Sequence, residues 1–196
     1  AAINGLAFAN GKYTTLGLLK YGHTFYLYAN GTLALKVGYS DTDGAAQVGL
    51  MAFYLGLTAK EYTYTTDEAE LKEIAGGNIE EIKVKLDDTT GATLTRENFA
   101  ENAAYTEENG EIVGSLIGEN LLYSNINSEN FYFEANLTLT KVNGGDKYAK
   151  AGIVVKGTSN STLLFYVDAI SNGTTFTDNR VVGVTQRSTK TGNDWV

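Results

Sequence analysis

The sequence predicts an all-β fold, a sandwich or a barrel. Two observations carry that prediction. Segments of apolar–polar alternation recur about every ten residues with turn signals between them. The 196-residue chain also holds 22 glycines, 13 tyrosines and 8 phenylalanines but no proline, where ~5% proline is average usage, so its composition suits strands joined by glycine turns.

The first clear strand is Tyr13–Lys20. Thr24–Ala29, Asn30-Gly31 and Thr32–Val37 then read as strand, turn and strand. Asn-Gly is the strongest short-range hairpin signal, because both central residues of a type I′ turn need positive φ. Along this hairpin Tyr26 and Tyr28 share one face while Phe25 and Leu27 share the other. One pair is surplus to a single core, so it covers a connector, faces a ligand or decorates the strand. A polar turn, Ser40–Gly44, precedes the apolar strand Gln47–Tyr54, and Lys60–Thr65 alternates again.

Asp67–Ile74 reads either as one or two helical turns stopped at Gly76-Gly77 or as a closing strand. Ile79–Leu86 alternates as a strand would. Thr95–Ala103 combines a Thr cap with an amphipathic pattern and predicts a short helix. Beyond it, Asn130–Thr140 is a long strand ending at the turn Asn143–Asp146. Ala151–Lys156, Ser161–Asp168 and Arg180–Gln186 complete the set. Phe25–Val37 and Phe131–Val142 echo each other, and the simpler reading is two core strands of one sandwich that share a pattern.

The length suits one large all-β domain or two small ones. With 43% hydrophobic and 19% charged residues the chain is globular in composition. A net charge of −8 without clustered Lys or Arg disfavours a nucleic-acid partner, since phosphate binding needs such clusters. The lack of cysteine removes disulfides, thiolate metal sites and cysteine nucleophiles. No apolar run approaches the ~18 residues that cross a bilayer.

Residues 1–75 read as the closing half of a sandwich, 76–110 as a connector and 111–196 as the opening half. With the halves exchanged, the segments Phe131–Thr140, Tyr148–Val155, Leu163–Asp168, Trp195, Tyr13–Lys20, Phe25–Leu35 and Val48–Phe53 follow one another. In that order the chain resembles the laminin-G-like or concanavalin-A-like jelly-roll domains of bacterial surface proteins and secreted glycan-active proteins. Their recurring core strands have the patterns seen here in Lys150-Ala151-Gly152-Ile153-Val154-Val155, Phe25–Thr32 around Asn30-Gly31, and Val48–Phe53. The resemblance covers about 150 residues and describes a strand framework, not a site.

It implies an antiparallel jelly-roll sandwich of two sheets with a short helical or irregular connector, forming a single domain over residues 1–196. It also implies an extracellular or cell-surface setting. The exchanged order predicts a circularly permuted fold with Ala1 and Val196 as neighbours, or strand exchange between copies. The self-contained form is the expectation for one ordered chain, and the chain is expected to be one repeat of a larger surface protein.

Catalysis has few candidates. His23, the lone histidine, sits at a glycine-flanked turn, and no Gly-x-Ser-x-Gly elbow is present. Glu134 and Asp168 are candidates for a paired-carboxylate site, without the Glu-x-Asp-x-x-Glu strand pattern common in glycanases of the resembled fold. Calcium is a candidate ligand of Asp41, Asp43 and Asp146, which place oxygens on tight loops, although Asp and Asn also favour turns for backbone reasons. Sugar stacking would use Tyr26, Tyr28, Tyr148, Tyr166 and Trp195, with Arg180 to orient hydroxyls. The expected function is a non-catalytic carbohydrate-binding or adhesive module. The alternative is a structural spacer or self-assembling repeat that packs on neighbouring copies. The expected partners are therefore a glycan or neighbouring repeats, with neither nucleic acid nor membrane insertion.

Overall fold

The computed structural model describes residues 2–4, 13–39, 44–76, 94–98, 105–108, 111–114, 118–142, 150–157, 161–168, 179–188, 190–191 and 194–195. In chain order the first elements are β1 (Ala2–Asn4), β2 (Thr14–Tyr21), β3 (Thr24–Ala29), β4 (Thr32–Gly38), β5 (Ala46–Phe53), β6 (Leu55–Thr65) and α1 (Glu68–Gly76). Then come β7 (Leu94–Asn98), β8 (Tyr105–Glu108), β9 (Glu111–Gly114), β10 (Glu119–Ser128) and β11 (Phe131–Val142). The chain closes with β12 (Lys150–Lys156), β13 (Ser161–Asp168), β14 (Asn179–Ser188), β15 (Lys190–Thr191) and β16 (Asp194–Trp195).

Two seven-stranded antiparallel sheets form a sandwich, and β15 pairs separately with β16. The first sheet runs β1-β14-β13-β12-β5-β10-β7 and the second β4-β3-β2-β11-β6-β9-β8. Both sheets keep open edges, so this is a sandwich and not a closed barrel, an arrangement compatible with a jelly roll. Both sheets combine strands from before residue 76 and after residue 110: β5 lies between β12 and β10, and β11 between β2 and β6. The expected proximity of Ala1 and Val196 lies outside the described residues.

The core is built by alternation. Leu16 and Leu18 of β2, Phe25 and Leu27 of β3, Val48, Leu50 and Ala52 of β5, Phe131, Phe133 and Ala135 of β11, and Ile153, Val155 and Phe165 of β12 and β13 are all buried between the sheets. The Asn30-Gly31 turn forms as the sequence predicts, with φ of 48° and 79°. The Asn30 carboxamide accepts a hydrogen bond from the Thr15 N–H at 3.0 Å, and the Asn30 N–H donates to the Thr15 carbonyl at 2.8 Å. These bonds tie the turn to β2. On the edge strand β4, Lys36 is exposed, a charge that discourages edge-to-edge pairing.

Asp67–Ile74 resolves as helix. The Asp67 carboxylate accepts from the N–H groups of Ala69 and Glu70 at 3.0 and 3.1 Å, an N-cap worth about 1 kcal/mol. The Thr65 hydroxyl accepts from the Asp67 N–H at 3.0 Å and donates to the Glu70 carboxylate at 2.5 Å. Thr65 thus relays the reciprocal bond that a capping box makes directly.

Thr95–Asn98, expected to open a helix, belongs instead to β7, which pairs with β10 from Asn120 to Ser124. Tertiary pairing overrides the local amphipathic pattern there. The two echoing segments also diverge. Asn30 turns a hairpin, whereas Asn136 stands inside β11, so the echo is one of pattern and not of fold.

Candidate functional site

A cleft of about 280 Å³ opens on the first sheet, lined by Phe53, Tyr54, Glu119, Lys150 and Arg187. Pairing brings most of these residues together. Phe53 ends β5, with Glu119 opposite it on β10 and Lys150 opposite it on β12. Tyr54 alone links β5 of the first sheet to β6 of the second. Its φ of 55° is left-handed, a conformation that costs a residue other than glycine ~1–2 kcal/mol, and its N–H donates to the Gly118 carbonyl at 2.9 Å. This corner fixes where the tyrosine stands.

Arg187 reaches the cleft from farther away. By pairing it stands in line with Thr162, Lys156 and Gln47, at the opposite end of β5 from Phe53. Even so, its Nη1 lies 3.5 Å from Glu119 Oε1 and its guanidinium 5.8 Å from the centre of the Phe53 ring. Diagonally opposite corners of a flat sheet could not meet, so the sheet coils toward this outer face. Glycine makes that coil possible. A Cβ on Gly49 would fall 2.6 Å from the Tyr123 Cα, and one on Gly183 would fall 2.8 Å from Cζ of Tyr166. Beneath the coil Met51, Leu121, Val154 and Leu164 are buried.

Lys150 Nζ sits 4.1 Å over the ring of Tyr166, a cation–π contact that holds the ammonium at the rim. Tyr166, one of the residues nominated for sugar stacking, therefore flanks the cleft. The other nominees fare differently. Tyr28 is only 1% exposed. With Leu19, Tyr132, Leu71 and Ile74 it forms the packing between the second sheet and α1, so it presents no face to a ligand. Tyr26 is half-buried on the same face, with Lys36 Nζ 5.1 Å over its ring. The surplus aromatic pair thus packs against α1. Arg180 and Trp195 belong to β14 and β16, but their side chains lie outside the described residues, as do Tyr148, Asp41, Asp43 and Asp146 altogether.

Glu134 and Asp168 are in different sheets and are not brought together. Glu134 accepts a 2.6 Å hydrogen bond from the Tyr132 hydroxyl. His23 is exposed in the β2–β3 turn. Among the described residues no three histidines or carboxylates converge as a metal site, and no helix is long and apolar enough to cross a membrane.

The tyrosines under α1 have a consequence at high pH. Burial, with a smaller contribution from Tyr26, pushes the Tyr28 phenol up to about 12. Burial, the Glu134 charge and the hydrogen bond to it raise Tyr132 well above the usual tyrosine value. In the unfolded chain both ionise near pH ~10. Stability is therefore fully present below that pH, and it falls as pH rises above it because the unfolded state then releases protons the folded state keeps. In an ultraviolet titration, Tyr132 is expected to ionise only as the circular dichroism of the fold is lost. Complete ionisation of all tyrosines near pH ~10 with the fold intact would contradict this.

Glu119, Lys150, Tyr54 and Arg187 were not legible as a site. Glu119 opens a strand whose sequence, Glu-Asn-Leu-Leu-Tyr-Ser-Asn-Ile-Asn-Ser, does not alternate, and Arg187 arrives only through the coil. The one signal in the sequence was Phe53-Tyr54-Leu55, a strand that continues through a corner with no turn residue. Compared with protein-family models and with curated proteins, the sequence matches none of them.

Proposed function

We propose that this chain is a non-catalytic carbohydrate-binding or adhesive module of the concanavalin-A-like or laminin-G-like jelly-roll class, displayed outside the cell. The observation that carries the reading is the cleft at the Tyr54 corner. Tyr54, half-buried, stands beside Glu119, Lys150 and Arg187, and Phe53, buried at 1% exposure, closes the floor. Such a mixture suits a sugar, which presents an apolar C–H face and a rim of hydroxyls. A strained backbone at Tyr54 also marks the kind of position where function offsets a local cost in stability. At about 280 Å³ the cleft lies just below the ~300–1,000 Å³ usual for small-molecule sites.

A glycan array probed with and without calcium tests the reading. The native chain is expected to bind a subset of glycans. The variant Tyr54→Asn, which removes the ring but tolerates the left-handed corner, is expected to bind about tenfold more weakly, a loss of ~1.4 kcal/mol. Calcium dependence would add the turn carboxylates Asp41, Asp43 and Asp146 to the account. Binding to no glycan, with concentration-dependent self-association, would replace this reading with that of a structural spacer.

A further inference from the structure

We infer that the sandwich end beside the β2–β3 turn contains a binding site for a primary alkylammonium ion, and that the chain fills this site with its own Lys20.

Alternation along β2 turns Lys20 inward with Leu16 and Leu18, and it is 1% exposed. It pairs with Phe25 on β3 and with Phe131 on β11, both fully buried. Residues directly opposite one another in an antiparallel sheet share a face, so the two phenylalanines flank the lysine stem. Nζ lies 6.0 Å from the centre of the Phe25 ring. Past the rings, the carbonyls of Gly22, Gly44 and Glu129 accept from the ammonium at 3.3, 3.1 and 2.5 Å. Apolar walls thus lead to a cluster of oxygens, which is the complement of an alkylammonium: a hydrocarbon stem with three N–H donors at its head. Three oxygens converge among the described residues, where a calcium ion takes ~6–8, so the site suits an organic cation better than a divalent metal.

Bonds that do not involve the lysine hold the site in shape. The Gly22 N–H donates to Asn130 Oδ1 at 2.8 Å. The Ser128 hydroxyl donates to the Asn130 carbonyl at 2.8 Å, which steadies the crossing that carries Glu129. On the other side the Tyr39 N–H donates to the His23 carbonyl at 2.9 Å and ties the end of β4 to the same turn. A site organised in advance loses little of its binding energy to ordering, so it should keep its preference for an ammonium after the lysine side chain is removed.

The test is chemical rescue. Lys20→Ala removes the atoms from Cγ to Nζ, which are those of n-propylammonium. The variant is expected to melt below the wild type, and n-propylammonium should raise its midpoint saturably. At ten times the Kd the ratio of folded to unfolded chain should rise about elevenfold. The wild type, whose site is already full, should show no saturable response. Tetramethylammonium carries the charge without an N–H donor, and 1-propanol carries the stem without the charge, so neither should rescue. Equal rescue by either control, or an equal response of the wild type, would overturn the inference. So would a folded alanine variant that n-propylammonium leaves unchanged. A second variant covers an alanine chain too unstable to fold. The protein has no cysteine, so Lys20→Cys offers a single thiol that can be alkylated in urea before refolding. Its thiolate displaces bromide from 2-bromoethylamine to rebuild an ammonium of lysine length, or from 1-bromopropane to rebuild the stem alone. The aminoethyl form is expected to refold to a midpoint near that of the wild type and the propyl form to fall well short. Equal midpoints for the two forms would show that the site has no use for an ammonium and would overturn the inference.

Discussion

Gly152→Ala is expected to destabilise the chain by about 3 kcal/mol or more, at the upper end of what overpacking costs. A methyl group at this position would lie 2.8 Å from the Tyr166 Cα and closer still to the Phe165 carbonyl oxygen. Those atoms are backbone of β13, directly paired with β12 through Ala151–Val167 and Gly152–Tyr166, and cannot swing aside as a side chain end would. Relief requires the two strands to separate near the middle of a seven-stranded sheet. At roughly 2–4 °C per kcal/mol for a chain of this size, Tm should fall by about 10 °C. Gly76→Ala is the control: it ends α1, a methyl group there would meet nothing within 4 Å, and its effect should stay within about 0.5 kcal/mol. Equal melting of Gly152→Ala and the wild type would mean that β12 and β13 do not approach so closely. The variant should also weaken the glycan binding proposed for the cleft, because the coil that carries Arg187 to Glu119 depends on the same close packing.

The strands that read clearly in the sequence are those whose side chains alternate between two distinct environments. In β3, Phe25 and Leu27 enter the intersheet core while Tyr26 and Tyr28 face α1, and the sequence shows both faces and the turn that follows. Helix α1 was one of two readings of Asp67–Ile74. Asp67 decides between them by capping the backbone, a role its sequence position only permits. Strand β10 escaped notice for a physical reason. Asn125 and Asn127 are exposed, but Asn120 and Ser124 are buried within it. The Ser124 hydroxyl donates to the Val48 carbonyl at 2.6 Å and accepts from the Ile126 N–H at 3.1 Å, where the pairing with β5 shifts register between Tyr123 and Asn127. Such a bulge interrupts alternation, so a central strand reads as a loop. The cleft was hidden with it: Glu119 needs β10, Tyr54 needs a glycine-free left-handed corner, and Arg187 needs the coil of the whole sheet.

Lys20→Met is expected to cost about 3 kcal/mol, although the substitution keeps the side chain's length and replaces a buried charge with an apolar group. Lys20 is 1% exposed. Its ammonium donates to the carbonyls of Gly22, Gly44 and Glu129 at 3.3, 3.1 and 2.5 Å. Those carbonyls belong to the β2–β3 turn, the segment entering β5 and the crossing from β10 to β11, so one side chain joins three connections at one end of the sandwich. Asn130 reinforces the joint by accepting from the Gly22 N–H at 2.8 Å. Burying an ammonium is costly, and an apolar replacement recovers part of that cost. Against this stand three hydrogen bonds to a charged group, each worth ~1.5–3 kcal/mol, and carbonyls left without their donor. The three connections lie far apart in sequence, so the methionine variant cannot satisfy the carbonyls by local rearrangement, and the loss should exceed the recovery. Urea denaturation measures the difference, and hydrogen exchange should report it first at the Gly22 amide, whose protection depends on the joint staying closed. A variant as stable as the wild type, with Gly22 equally protected, would mean that desolvation of the ammonium cancels its bonds and that packing around Phe25 alone holds this end together.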